Sequence, residues 1–61
     1  MEIEKYSGPD YCVLEALDAD RIEVRDNHGE IIGIYPSWKK AQQVQKNWER
    51  FALRKYLQKR G

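Results

Sequence analysis

The sequence predicts an α+β domain: a three-stranded antiparallel β-meander packed against one long C-terminal α-helix, in the order β-β-β-α. Three observations carry this. Over residues 11–35, apolar and aromatic residues come in short runs of strand length, each bounded by turn-forming residues. Over residues 37–60 the apolar period becomes helical, and no Gly or Pro interrupts it. The chain has 61 residues, enough for one domain of two packed layers around a single core.

The opening "EIEKY" (2–6) reads either as an edge strand or as a mobile tail, and residues 1–10 are left open between the two. The first firm strand is "YCVLEAL" (11–17), between the turn-rich "SGPD" and "DAD". The second is "RIEVRD" (21–26), which alternates strictly. Ile22 and Val24 face one way, and Arg21, Glu23 and Arg25 the other. The third is "EIIGIY" (30–35), β-branched and aromatic, with Gly33 marking a bulge or a close backbone approach. Between the last two, "DNHG" predicts a short hairpin loop, a type I turn with Gly29 in the left-handed position.

Pro36 ends the third strand, and Ser37 is placed to cap a helix by accepting a hydrogen bond from a first-turn N–H. At 100° per residue, Trp38, Ala41, Val44, Trp48, Phe51, Ala52 and Tyr56 fall on one stripe, broad enough to cover one face of a small sheet. The opposite face carries Lys39, Gln43, Lys46, Arg50 and Arg54 in line, flanked by Lys40 and Asn47. Leu53 and Leu57 lie off the apolar stripe, near the edge of this basic ridge. They are expected either to be packed by the N-terminal segment or to be exposed for a partner.

The net charge of +1 conceals a separation. Residues 1–35 carry nine acids and three bases, a formal −6; residues 36–61 carry eight bases and only Glu49, a formal +7. Either the two halves attract one another, or the basic segment meets an external acidic partner. A chain this short folds with a thin margin, at most roughly 3–5 kcal/mol. The two Trp, four Tyr and one Phe supply the apolar mass that replaces covalent staples. A lone Cys12 excludes an internal disulfide, and with only His28 there is no Cys/His set for zinc. No apolar run reaches the roughly 18 residues of a membrane-spanning helix, and no charged-then-apolar leader follows Met1. The expectation is an intracellular, cytoplasmic domain without metal, cofactor, small-molecule substrate or membrane association.

Nor does a catalytic constellation emerge. His28 belongs to the glycine turn, Cys12 reads as a small buried hydrophobe without a base beside it, and Asp18 and Asp20 are turn residues. Gly8, Gly29 and Gly33 are isolated, so there is no phosphate-cradling loop. The expectation is that the protein is not an enzyme.

Over residues 22–56, the run "IEVRD", a glycine turn, "EIIGIY" and then "PSWKKAQQV", leading a helix that continues to "FALRKY", resembles two related families. These are the plant AP2 DNA-binding domain and the N-terminal arm-binding domains of phage and transposon integrases. The resemblance covers roughly half the chain or a little more, and implies a three-stranded sheet backed by a C-terminal helix. It also implies a sheet whose open face enters the DNA major groove, which here presents Arg21 and Arg25 and adds Tyr11 and Tyr35. The same face carries Glu23 and Glu15, which the families' mode of binding does not require.

Two functions follow as expectations. The first is a nucleic-acid-binding accessory module of the size encoded by phages and mobile elements. It would contact phosphates through Lys39, Lys46, Arg50 and Arg54 of the helix, with Arg21 and Arg25 of the sheet. The second is a protein-interaction or inhibitor module that binds an acidic partner surface, or a copy of itself, with Leu53 and Leu57 at the contact.

Overall fold

The computed structural model describes residues 7–60, so the alternative readings of residues 2–6 lie outside it. Three strands, β1 (Cys12–Asp18), β2 (Arg21–Asp26) and β3 (Ile31–Tyr35), form one antiparallel sheet in the order β1-β2-β3, followed by helix α1 (Trp38–Arg60). This is the expected β-β-β-α arrangement, with element ends within a residue or so of the sequence reading.

The β2–β3 turn is held by its own residues. Gly29 N–H donates to the Asp26 carbonyl at 3.0 Å, and Gly29 takes φ +87°, a conformation that costs glycine nothing. The Asp26 carboxylate accepts the N–H groups of His28 and Glu30, both at 2.9 Å, so the side chain completes the turn the backbone begins. Asn27 Oδ1 accepts the Tyr11 N–H at 3.2 Å, tying the start of β1 to the same loop.

The register sets the two faces of the sheet. Leu14 pairs with Val24, and Ile22 lies between Ala16 and Tyr35. Cross-strand partners share a face, so these residues face α1. Val13, Arg25 and Ile31 form one row of the opposite face, and Glu15, Glu23 and Ile34 the next. The register shifts twice, near Leu17 in β1 and near Ile32 in β3. The second shift lets Ile32 pack against the core while Ile31 stays outside.

Gly33 serves both roles its position suggests. It adjoins the β3 irregularity, and the Tyr35 ring lies over it. A Cβ there would sit 2.5 Å from Tyr35 Oη and 2.8 Å from Cζ. Tyr35 therefore belongs to the core face with Ile22, not to the open face. Placing it among groove-contacting residues overlooked the alternation set by Ile22 and Val24.

Ser37 caps α1 as its position predicts. Its Oγ accepts the Lys40 N–H at 3.2 Å, and its carbonyl accepts the Ala41 N–H at 3.0 Å. Ala41 is fully buried on Ile22, Val24 and Cys12, and Leu14, Ile32, Tyr35 and Trp48 pack around them. The apolar stripe is covered only in part. Ala41 is buried and Val44, Trp48, Ala52 and Tyr56 are half-buried, whereas Phe51 is 63% exposed and Trp38, at the helix start, is half exposed. Twenty-three helical residues span about 34 Å at 1.5 Å each, whereas the six residues of β2 span about 20 Å, so α1 is longer than the sheet it lies on.

The helix also holds the sheet by polar contacts. The Cys12 N–H donates to Glu49 Oε2 at 2.7 Å, and Gln45 Nε2 donates to the Cys12 carbonyl at 3.0 Å. Four residues apart, Gln45 and Glu49 project from one side of the helix and satisfy both backbone groups at the start of an edge strand.

Candidate functional site

The outer face of α1 is built as its spacing requires. Lys39, Lys46, Arg50 and Arg54 are all exposed, and none of their side chains makes a hydrogen bond or ion pair with another described residue. Lys46, Arg50 and Arg54 recur every four residues, about 6 Å apart along the axis. The helix has one acid, Glu49, and it is turned inward to Cys12. No carboxylate of the helix is left to neutralise the ridge.

Leu53 and Leu57 belong to the same face. They are 44% and 55% exposed and, with Arg50, Arg54 and Gln58, line an open groove of about 420 Å³. Packing of these leucines by residues 1–6 lies outside the described residues; Gly8 and Asp10 line a different groove, of about 490 Å³, with Trp48, Phe51 and Tyr56. Lys55 Nζ stands 5.6 Å above the Phe51 ring there, and His28 Nε2 lies 3.3 Å from Asp10 Oδ1.

The sheet arginines are elsewhere. Arg21 and Arg25 lie on the open face of the sheet, on the far side of the molecule from the helix ridge, so the six basic candidates form two surfaces rather than one. Both are engaged. Arg21 Nε donates to Asp18 Oδ2 at 2.7 Å, with Nη2 2.6 Å from the same oxygen. That hydrogen bond is the main reason the Asp18 carboxyl is held below its ordinary pKa. Arg25 Nε pairs with Glu23 Oε1. Glu23 is only 6% exposed although it sits at the centre of an open face.

Around these pairs stand Val13, Ile31 and Ile34, between 50 and 56% exposed. Sequence reasoning passed over this patch, although the signal was present. The "CVL" and "EIIGIY" runs lack the polar alternation of a strand that faces water on one side, as "RIEVRD" does not.

Cys12 is buried, and its thiol is pushed up to about 11, first by burial and then by the Glu49 and Asp26 carboxylates. A thiol so placed is neutral at ordinary pH and is no nucleophile. Among the described residues, no three His, Cys, Asp or Glu side chains converge as a metal site, and no helix is long and apolar enough to cross a membrane.

Comparison with protein-family models, with curated proteins and with solved structures gives no match to this chain.

Proposed function

We propose that this chain is a small nucleic-acid-binding accessory module whose contact surface is the outer face of α1. The observation that supports this best is the isolation of the ridge. Lys39, Lys46, Arg50 and Arg54 point to solvent while the only acid of the helix is committed to Cys12. A linear array of unneutralised cations releases counterions when it meets phosphates, which makes affinity large at low salt and steeply salt-dependent. This reading assigns the contact to the helix and not to the sheet face used by AP2-type domains, because Arg21 and Arg25 already pair with Asp18 and Glu23.

The test is binding to a fluorescent mixed-sequence duplex at about 50 and 200 mM salt. Four phosphate contacts give a log–log slope near −3.6, a loss of about two orders of magnitude in affinity across that range. The triple variant Lys46→Glu, Arg50→Glu, Arg54→Glu should abolish binding with the fold intact, while Arg21→Ala leaves it unchanged. Undiminished affinity in the triple variant refutes the assignment.

A second reading is favoured by one observation, the exposure of Leu53 and Leu57 between Arg50 and Arg54. Aliphatic side chains offer nothing to a phosphate, but with flanking arginines they suit an acidic amphipathic segment of a partner protein. Leu53→Ala with Leu57→Ala separates the two readings: duplex affinity is insensitive to it under the first, and capture of an acidic helical peptide is lost under the second.

A further inference from the structure

The groove on the distal half of α1 is a feature the basic ridge does not explain. Trp48, Phe51, Tyr56, Lys55, Lys59 and Asp10 line its volume of about 490 Å³, a size that admits a small planar ligand. Its rings differ in exposure. Trp48 and Tyr56 are half-buried, whereas Phe51 is 63% exposed. A ring that open adds little to the core. It does attract a cation, since Lys55 Nζ stands 5.6 Å from its centroid, as the negative face of an aromatic ring favours.

Phe51 also borders the ridge. Asn47, four residues before it, and Arg54, three after it, are its neighbours on the helix surface. An unneutralised line of cations therefore adjoins an exposed aromatic ring, with Lys55 and Lys59 beyond it.

We propose that Phe51 stacks on an unpaired base of a strand whose phosphates follow the ridge, so that the substrate class of this module is single-stranded nucleic acid. The inference rests on the ridge reading given above and deepens it. Single strands are held by this pairing of features: cations that track the backbone, and a π face that any base can use. A duplex offers the ridge its phosphates but keeps its bases stacked inside, so Phe51 gains nothing from it.

Charge favours a nucleotide over an apolar peptide in the groove. Lys55 and Lys59 are exposed and make no ion pair with a described residue. Asp10, the acid of the groove among the described residues, lies 3.3 Å from His28 Nε2. An apolar segment would cover both ammonium groups without supplying a counter-charge, which is costly. The phosphate next to a stacked base supplies one. Trp48 and Tyr56 extend the apolar surface that the base meets.

Fluorescence anisotropy at about 50 mM salt, where phosphate contacts are strong, tests this with three probes of equal length. These are oligothymidylate, a strand with abasic sites in place of its bases, and a duplex. Oligothymidylate should bind at least about tenfold more tightly than the abasic strand, which offers the same phosphates without a stacking partner. Phe51→Ala should remove that difference while leaving duplex affinity within about twofold of wild type, and Phe51→Trp should keep the difference. Circular dichroism shows whether each variant keeps the wild-type fold, as expected for a side chain this exposed.

Equal binding of oligothymidylate and the abasic strand overturns the inference. So does a Phe51→Ala variant that loses affinity for duplex and oligothymidylate alike, or one that keeps the full advantage of oligothymidylate. In each of these cases the duplex arm still reports on the ridge, through its loss in the Lys46→Glu, Arg50→Glu, Arg54→Glu variant. A wild-type chain that binds none of the three probes overturns the ridge reading, and this inference with it.

Discussion

Glu49, the only acid of α1, accepts the backbone N–H of Cys12 at 2.7 Å, and Gln45 one turn earlier donates to the carbonyl of the same residue at 3.0 Å. The two side chains do for this end of β1 what a fourth strand would do. They also fix the helix along the sheet by directional bonds that apolar packing alone does not provide.

Glu49→Ala should destabilise the protein by about 1–3 kcal/mol, the cost of a lost charge-assisted bond and an unsatisfied N–H at a partly buried edge. Glu49→Gln keeps an acceptor and should cost less, while removing one of the charges that raise the Cys12 thiol. Urea denaturation measures the first effect. The pH dependence of Cys12 alkylation measures the second, with its midpoint expected to fall.

The raised thiol makes alkaline stability a property of Cys12. Its pKa is about 11 in the folded chain against an ordinary 9.0. Between those values the unfolded chain has released the proton and the folded chain still holds it. Stability is therefore full below about pH 9 and falls as pH rises toward 11, by at most about 2–3 kcal/mol from this group. Tyrosines and lysines titrate in the same region, so the quantity to measure is the difference in that slope between wild type and Cys12→Ala. The variant should lose the Cys12 share of the slope.

Gly33 and Tyr35 should behave as a coupled pair. Gly33→Ala forces the Tyr35 ring off its seat and should destabilise by about 1–3 kcal/mol. In a Tyr35→Ala background the same substitution meets open space and gains strand propensity, so its effect should vanish or reverse. A thermodynamic cycle with a coupling below about 0.5 kcal/mol would show that the ring does not depend on the missing side chain.

Ser37→Ala removes the acceptor of the Lys40 N–H and should cost about 1 kcal/mol. Ser37→Asp should retain the cap and add a favourable charge at the helix N-terminus. Thermal melts followed by circular dichroism would rank Asp at or above wild type and Ala below it.

Much of the fold was legible because it is written in local terms. Strict alternation in "RIEVRD", a glycine after Asp-Asn-His, and a serine before the helical period each specify their element within a few residues, and each stands where it was expected. What the sequence left hidden is non-local. Nothing near Gln45 or Glu49 marks them as partners of Cys12, which is more than thirty residues away. Tyr35 was set on the wrong face because its partner, Ile22, lies in another strand. Phe51 reads as core because helical period reports an angle and not how fully each position is covered. The basic ridge was fully visible as a helix face. That it stands apart from Arg21 and Arg25 could be seen only once the helix was laid on the opposite side of the sheet.

That α1 is longer than the sheet has an evolutionary consequence. Ala41 and Trp48 bind the proximal half of the helix to the core, so substitutions there are judged by folding. The outer side of the distal half, with Leu53, Arg54 and Leu57 in solvent, is almost uncoupled from that judgement. Residues on it can drift, exchange charge or acquire a new specificity without passing through an unstable intermediate. The packed part and the exposed part can thus change at different rates within a single helix.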